Sequence, residues 1–395
     1  ITNGLNYLTS TQNPDGSWGS ATAGTEVLPS TVSVIEAFQV LDQSSTQSYS
    51  NAFLWLQTQD MGTTDYLSER IRALSLAGND NALLISYIDE TYTDAWGGYN
   101  EFDVNNLDTA LALQALNKIN YQDQNTISSA LFFLTNNQNP DGGFGFYQGD
   151  DSNVYMTALV LQTLSQFKTT YELKTPISNA AAYLLANQNS DGGFGAPAST
   201  VYETALAFEA LISSGAVTAD KATDIQDAVT YLTNTQLPNG SWDDDPYSTA
   251  LALRALASGE PNLSITSSDI TFSNPTPTKG ETVTVTATVR NTGPVQADNV
   301  AMRFYDGDPN AGGAQIGADQ SIPIISPYGS ASVSVPYNTS GRIGRREIFV
   351  QIDPVNAIDE ASETDNSASG FVTINTLPDI YINSGEITYS PVNVT

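Results

Sequence analysis

Six side chains that could bind a polar ligand occupy the same place in a repeated sequence pattern. Each lies one or two positions before a Thr or Ser that opens a short apolar segment. The six residues are Tyr66, Tyr155, Tyr202, Tyr247, Asp108 and Glu203. Aromatic rings can stack on sugar rings, and carboxylate oxygens are ligands for hard cations. We therefore predict a rim that binds a sugar or a cation, provided that the segments lie side by side.

The apolar segments that must position these side chains recur four times with nearly the same letters. They occupy residues 109–113, 157–161, 204–208 and 249–253, and weaker versions begin at Thr31 and Ser68. Each strong copy is a Thr followed by four apolar residues, mostly Ala and Leu. An α-helix with this composition is apolar nearly all round, which indicates that it is surrounded by protein.

A second motif links the predicted helices. The copy Gln-Asn-Pro-Asp-Gly-Gly-Phe-Gly begins at Gln138, and related copies begin at Gln12, Gln188 and Gln236, with a remnant at residues 94–98. The Asp-Gly or Asn-Gly pair allows a turn with positive φ. The aromatic residue two positions later can wedge between helices, and the Gln can satisfy backbone groups at helix ends. We interpret this motif as a structural staple.

Predicted helices on both sides of the linking motifs give six helix pairs over residues 1–259. The first helix of a pair carries a polar face of Asn, Thr and Gln, whereas the second is apolar nearly all round. Six pairs can therefore close with the second helices inside and the first helices outside. The predicted fold is an all-α (α/α)6 toroid. Because repetition makes the inner helices parallel, the six candidate residues converge on one rim.

A structural interpretation of the rim stays open beside the functional one. Asp and Glu favour the first turn of a helix because the helix dipole is positive there. A Tyr in an entry loop commonly packs its ring and leaves its hydroxyl in water. The rim residues could therefore serve helix starts rather than a ligand.

The linking motif followed by Thr-Ala-Leu-Ala-Leu resembles the repeat of squalene cyclases and protein prenyltransferase β-subunits, over about residues 1–259. Prenyltransferases of this family hold zinc with Asp, Cys and His, and this chain has no Cys and no His. Class II terpene cyclases protonate their substrate with the middle Asp of a D-x-D-D-T-A segment. In this chain Leu107 replaces that proton donor, and only Asp108 of the three acids remains. The resemblance therefore implies the fold but neither activity.

The last third of the sequence has a different pattern, rich in Val, Thr and Ile. Residues 281–291 alternate strictly, as a half-buried strand should, and residues 300–305, 331–337, 347–352 and 369–374 continue the series. Turn residues separate these segments, so residues 260–375 are predicted to form an all-β, immunoglobulin-like sandwich. The opening of this region recurs at residue 378, and we expect residues 376–395 to begin a second copy in a longer protein.

These strands resemble the CARDB module, an immunoglobulin-like domain found in tandem on bacterial and archaeal surface proteins. The matching pieces include Pro261-Asn262-Leu263, the strand that begins at Gly280 and the loop that begins at Asp353. The resemblance implies adhesion or spacing rather than catalysis.

One loop of the predicted sandwich is crowded with oxygen ligands of the kind that Ca²⁺ prefers. Solvated loop carboxylates are the alternative interpretation. Calcium is the one cofactor for which the sequence gives a signal. The candidate ligands are Asp353, Asn356, Glu360, Glu363 and Asp365.

Composition limits the partners. The chain has 43 Asp and Glu against 13 Lys and Arg, a net charge of -30, which repels phosphate backbones and anionic lipids. No apolar run approaches the roughly 18 residues that a membrane span requires. Without Cys and His, thioester and Ser-His-Asp mechanisms are excluded. We therefore expect no nucleic acid and no membrane insertion in this segment, and a glycan or another surface protein as partner.

Together these patterns predict a non-catalytic extracellular or cell-surface protein of a prokaryote. The toroid would be a ligand-binding or adhesive head, and the sandwiches would be spacers. Two alternatives stay open. One is a carbohydrate-active enzyme, a lyase or a hydrolase, that uses the rim carboxylates. The other is a structural subunit of a surface layer or filament.

Overall fold

The structure is a computed structural model that divides into a helical unit, Ile1–Glu260, and a strand-rich unit that begins at Pro261. It describes residues 1–19, 27–59, 62–75, 79–89, 95–98, 102–217, 221–376, 378 and 380–388. Residue 94 of the remnant motif, and residues 377, 379 and 389–395 of the predicted second β copy, lie outside the described residues. None of the helices in the described ranges is both long and apolar enough to cross a lipid bilayer.

The described part of the helical unit forms twelve α-helices, and two short antiparallel strands, β1 (Ile88–Asp89) and β2 (Ala95–Trp96), lie between the fifth and sixth. The helices are α1 (Thr2–Ser10), α2 (Val27–Val40), α3 (Gln47–Gln57), α4 (Thr64–Leu74), α5 (Asn79–Ser86), α6 (Asn106–Lys118), α7 (Gln124–Asn136), α8 (Val154–Phe167), α9 (Lys174–Ala186), α10 (Val201–Ser214), α11 (Ala222–Asn234) and α12 (Pro246–Ser258). They correspond to six pairs.

The six even-numbered helices form a closed inner ring. Each packs against the next one, and α12 packs against α2. The odd-numbered helices each pack on at least one inner helix. In α8 every residue from Met156 to Leu161 is buried, whereas the outer helix α9 exposes Asn179. The predicted α/α toroid, with the apolar helices inside, is confirmed.

The aromatic residue of each linking motif fixes the inner helix that follows. In the last copy the indole N–H of Trp242 donates to the carbonyl oxygen of Leu232 at 2.6 Å, and its backbone N–H donates to Oγ1 of Thr249 at 3.0 Å. The same backbone bond to the first Thr of an inner-helix segment is made by Trp18, Trp96, Phe144 and Phe194. The Thr is therefore needed because its hydroxyl satisfies a buried backbone donor.

The Gln and Gly of the motif join it to the next outer helix. Gln138 Nε2 donates to the carbonyl oxygen of Gly142 and to one in the first turn of α9, both at 2.9 Å. Gly142 has a φ of 90°, and a Cβ there would lie 2.5 Å from the carbonyl oxygen of Asn179. In the last copy, Gly240 makes the equivalent contact with Asn3 of α1, so the last repeat is joined to the first helix.

The strand-rich unit consists of two antiparallel sheets. Its strands are β3 (Leu263–Ser264), β4 (Ile270–Phe272), β5 (Thr282–Asn291), β6 (Ala297–Asp306), β7 (Ala314–Gln315), β8 (Gln320–Ile325), β9 (Ser330–Asn338), β10 (Gly344–Ile352) and β11 (Ser367–Ile374). One sheet has the order β11-β10-β6-β7, with β8 also paired to β6, and the other has the order β3-β5-β4, with β9 also paired to β5. The predicted immunoglobulin-like sandwich is confirmed.

The five predicted strand segments correspond to β5, β6, β9, β10 and β11, whereas the short strands β3, β4 and β7 and the longer strand β8 were not predicted. The sequence of β8 contains Pro323 and does not alternate cleanly. A Pro is tolerated here because β8 pairs only with β6 and therefore lies at the edge of its sheet.

Candidate functional site

Side chains at equivalent positions of the inner helices form stacked layers inside the ring, because residues i, i+4 and i+7 share one helix face. The first layer contains Tyr155, Tyr202, Tyr247 and Leu107, whereas Tyr66 lies six rather than seven positions before Arg72 of the third layer. The second contains Leu111, Leu159, Leu206 and Leu251, which are between 2% and 8% exposed. The third layer is polar and faces a cavity at the C-terminal ends of the inner helices. Leucines therefore fill the second level on four of the six inner helices, and Ser33 and Glu69 stand at the equivalent positions of α2 and α4.

Three of the four predicted rim tyrosines lie close together. The ring centroids of Tyr155 and Tyr202 are 6.5 Å apart, in an edge-to-face arrangement. Burial raises the pKa of Tyr155 to about 12, and the nearby charge of Glu69 adds to the rise. Burial also raises the pKa of Tyr247, with contributions from Tyr155 and Glu69. Tyr66 is half-buried and packs against the same core.

The two rim carboxylates take part in helix starts. The amide of Asn105, the N-cap of α6, accepts from the Asp108 N–H at 2.8 Å and donates to its carboxylate at 2.5 Å. Thr200, the N-cap of α10, accepts from the Glu203 N–H at 3.2 Å and donates to its carboxylate at 2.9 Å. These bonds match the structural interpretation of both acids. Ligand binding at the rim stays a prediction.

A polar cavity of about 510 Å³ opens at the opposite end of the inner helices. All six inner helices contribute to it through residues near their C-termini. Its lining includes Glu36 and Gln39 of α2, Arg72 of α4, Gln114 and Lys118 of α6, Gln162 of α8, Glu209 of α10 and Arg254 of α12. The six inner helices of the ring therefore form this cavity together.

A chain of ion pairs lies along the cavity wall. Glu36 accepts from Arg72 at 2.6 Å and from Arg254 at 2.7 Å, and Arg254 also donates to Glu209 at 2.9 Å. Gln162 Nε2 extends the chain to the Glu209 carboxylate at 3.2 Å. The four charged side chains are only 11% to 18% exposed. Removal of Glu36 would leave Arg72, and removal of Arg254 would leave Glu209, as a largely buried charge without its ion-pair partner.

The electrostatics of the two glutamates differ. Burial disfavours the charged form of Glu36, but Arg72 and Arg254 outweigh it and hold the pKa of Glu36 below its usual value. Burial raises the pKa of Glu209. The charge of Arg254 lowers this pKa, whereas the charge of Glu36 raises it further. Burial disfavours the charged form of Arg254 too, yet Glu209 and Glu36 raise its pKa. The wall is thus a compensated network centred on Arg254 and Glu36.

Sequence reasoning placed the site at the tyrosine rim and missed this cavity, although a signal was present. A polar residue stands five positions after the first Thr of five inner-helix segments: Glu36, Gln114, Gln162, Glu209 and Arg254. Arg72 stands four positions after Ser68 in the weak copy. A polar residue at a fixed place in otherwise apolar helices indicates a common lumenal position.

In the acidic loop of the strand-rich unit, the predicted calcium ligands accept hydrogen bonds from the protein. Glu360 accepts from the backbone N–H of Leu263 at 2.5 Å and from Asn366 at 3.0 Å, and Asn366 also donates to Glu363 at 3.0 Å. Asp353 accepts from the N–H of Ile358 at 2.7 Å. Burial raises the pKa of Glu360 to about 7. The hydrogen bonds from Leu263 and Asn366 lower this pKa, whereas the charges of Glu363 and Asp353 raise it.

The other two predicted ligands lie in the same loop. Asn356 occupies a turn with a φ of 53°, and Asp365 accepts from Asn262 at 3.2 Å. Across the described residues, no group of three or more acidic side chains has an arrangement that could hold a metal ion. Calcium binding by this loop stays a prediction.

Comparisons with known families match the two units separately. Residues 99–252 match the model of the squalene-hopene cyclase C-terminal domain, and residues 260–370 match the CARDB model. No curated protein sequence matches the chain.

Solved structures show a likeness at low identity. A single-residue variant of the type II terpene cyclase MstE from Scytonema has a TM-score of 0.52 at 15% identity and covers 65% of this chain and 94% of its own. A protein from Actinoplanes has a TM-score of 0.50 at 15% identity, and the match covers 65% of this chain and 97% of the Actinoplanes chain. A domain of a protein assigned to the cell surface of Methanosarcina acetivorans has a TM-score of 0.24 at 19% identity. That match covers 29% of this chain and 93% of the domain.

The family matches support the two resemblances found in the sequence. At such identities the likeness to terpene cyclases shows the fold alone. The chain therefore joins a region similar to the squalene-hopene cyclase C-terminal domain to a region similar to CARDB.

Proposed function

We propose that this chain is a non-catalytic protein of the prokaryotic cell surface whose helical unit binds a small polar ligand and whose CARDB-like unit is a spacer. The observation that carries the proposal is the cavity of about 510 Å³, to which all six inner helices contribute polar side chains. Its size lies within the roughly 300–1,000 Å³ of small-molecule sites.

The chemistry of the lining supports a polar ligand over an isoprenoid. An apolar chain in this cavity would remove water from Glu36, Arg72, Glu209 and Arg254 without replacing its hydrogen bonds, which is costly. Cyclase chemistry has no support either, since Leu107 stands where the family has its proton donor and cannot transfer a proton. Binding without turnover is the function that the residues favour.

The match of residues 260–370 to CARDB supports the surface location, because that module occurs in tandem on bacterial and archaeal surface proteins. A large acidic excess suits an exposed surface, since net charge keeps proteins soluble and apart. Both arguments support the proposed location of the toroid outside the cell.

A thermal-shift screen of the full chain against small polar compounds tests the proposal. We expect at least one compound to raise the unfolding temperature of the wild type but not of Gln162→Leu, which removes one cavity amide. Gln47→Leu, the same change on the exposed side of α3, should respond like the wild type. Release of product from a polysaccharide panel, or hits that are insensitive to Gln162→Leu, would contradict the proposal.

A further inference from the structure

The four largely buried charged side chains of the cavity neutralise one another. Glu36 and Glu209 face Arg72 and Arg254 in three ion pairs of 2.6 to 2.9 Å. Lys118, the other charged residue among the described cavity lining, is exposed at the end of α6, where the helix dipole is negative. A charged ligand deep in the cavity would have to break an ion pair, and the exposed Lys118 offers an anion only a weak, solvent-screened pair. The lining therefore favours a ligand without net charge.

The amide side chains that line the cavity have acceptor oxygens in addition to the donors that the protein uses. The Nε2 atoms of Gln39, Gln114 and Gln162 donate to a backbone carbonyl, a hydroxyl and a carboxylate of the protein, at 2.9 to 3.2 Å. Their amide oxygens accept no hydrogen bond from the described residues, so they stay available to a ligand. Each guanidinium has five N–H donors, and the ion pairs do not use all of them. A wall with both acceptors and donors suits hydroxyl groups, which both donate and accept.

Leucines lie between the cavity and the tyrosine rim on four of the six inner helices. Leu111, Leu159, Leu206 and Leu251 are at most 8% exposed, and Ser33 and Glu69 stand at the equivalent positions of α2 and α4, three residues before a cavity residue. A cavity of about 510 Å³ accepts a single sugar ring or the end of a chain. The site thus fits one compact, hydroxyl-rich unit.

From charge balance, hydrogen-bonding capacity and shape together, we infer that the cavity binds a neutral hexose, either free or as the terminal unit of a glycan. The inference rests on the proposed function and specifies its ligand. Gln114 and Gln162 accept from sugar hydroxyls, and Arg72 and Arg254 donate to them. The glutamates hold the two guanidinium groups in place rather than bind the sugar through charge.

Saturation-transfer NMR on the full chain tests this inference with hexoses that differ in charge. The probes are glucose, galactose and mannose, with glucuronate as the acidic and glucosamine as the basic counterpart. We expect at least one neutral hexose to bind, and the charged sugars to bind at least about tenfold more weakly, a difference of about 1.4 kcal/mol. Presentation of the bound hexose at the end of an immobilised oligosaccharide then distinguishes a glycan terminus from a free sugar.

Cavity variants locate the binding. Gln162→Leu and Gln114→Leu should each weaken the neutral hexose about tenfold or more, while Gln47→Leu should leave its affinity unchanged. Tryptophan fluorescence of each variant confirms that the helical unit is folded. Two variants are used so that a folding defect in one does not decide the result.

The outcomes separate this inference from the proposed function. If glucuronate or glucosamine binds as tightly as a neutral hexose, and if the Gln162→Leu variant no longer binds it, the proposed ligand class is wrong but the cavity still binds a polar ligand. If no hexose binds while the thermal-shift screen yields a cavity ligand of another class, the inference alone is overturned. If neither experiment finds a ligand that depends on the cavity amides, both fail.

Discussion

Asp108, in the first turn of α6, carries a carboxyl group whose protonation is coupled to folding. It is 5% exposed, and burial raises its pKa to about 6. The hydrogen bond from Asn105 lowers this pKa, and the charge of Asp65 raises it further. Its pKa in the unfolded chain is lower, close to the ordinary value of 3.8. The group therefore stabilises the fold fully below about pH 4, and this stabilisation is lost as the pH rises through about 6.

Replacement of Asp108 by Asn should remove this loss. At about pH 8 we expect the variant to be more stable than the wild type by up to about 3 kcal/mol, because a pKa difference of about two units corresponds to that free energy. The advantage should vanish near pH 4. Urea unfolding followed by tryptophan fluorescence reports on the helical unit, since all four Trp residues lie there. Equal stability at both pH values would show that Asp108 titrates normally.

The first Thr of each inner-helix segment gives a second test at the residue scale. Thr157 is fully buried, and its hydroxyl accepts from the backbone N–H of Phe144 at 3.0 Å. Thr157→Val keeps the shape but leaves that N–H unsatisfied, so we expect a loss of about 1–3 kcal/mol in the free energy of unfolding. Thr233→Val on the exposed face of α11 should change it by less than about 0.5 kcal/mol. Urea midpoints that shift equally would contradict the role of the hydroxyl.

The inner helices were predictable because Thr followed by four apolar residues recurs almost unchanged. The end of the ring at which the cavity opens was not predictable in the same way, since a ring of parallel helices has two ends. Aromatic and acidic residues drew the prediction to the N-terminal end, where Asp108 and Glu203 serve helix starts. The ion pair between Glu36 and Arg254 joins residues 218 positions apart, and no local pattern shows it.

The linking elements depend on glycines in two separable ways. Gly142 and Gly149 both have positive φ values, 90° and 85°, which strain any other residue. A Cβ at Gly142 would also lie 2.5 Å from a backbone carbonyl of α9, whereas a Cβ at Gly149 would meet nothing within 4 Å. One position therefore carries backbone strain alone, and the other carries strain plus a collision.

Alanine at these two positions should separate the two costs. We expect Gly149→Ala to lower the free energy of unfolding by about 1–2 kcal/mol, the cost of a left-handed conformation. Gly142→Ala should cost clearly more, since α9 must move away from the turn. Chemical unfolding monitored by tryptophan fluorescence gives both values. If the two variants were equally destabilised, the contact between the turn and α9 would not contribute to stability.

Across the whole molecule, the excess of acidic residues opposes compact structure. With 43 acidic and 13 basic residues, most carboxylates have no basic partner and repel one another. Salt weakens this repulsion at exposed sites, whereas the ion pairs of the cavity are largely buried and are screened much less. The free energy of unfolding should therefore rise with NaCl concentration. Urea unfolding should show a higher midpoint in high salt than in low salt. A falling midpoint would mean that exposed ion pairs outweigh the repulsion.

Calcium should act beyond this general screening if the acidic loop of the strand-rich unit binds it. At equal ionic strength, we expect millimolar CaCl₂ to slow amide hydrogen exchange across residues 353–366 more than NaCl does. The effect should grow as the pH rises through about 7, because Ca²⁺ competes with the proton of Glu360, whose pKa is raised to about 7. Glu363→Gln should abolish it, while Glu347→Gln on β10 should not. Identical exchange in the two salts would assign these carboxylates to the loop structure alone.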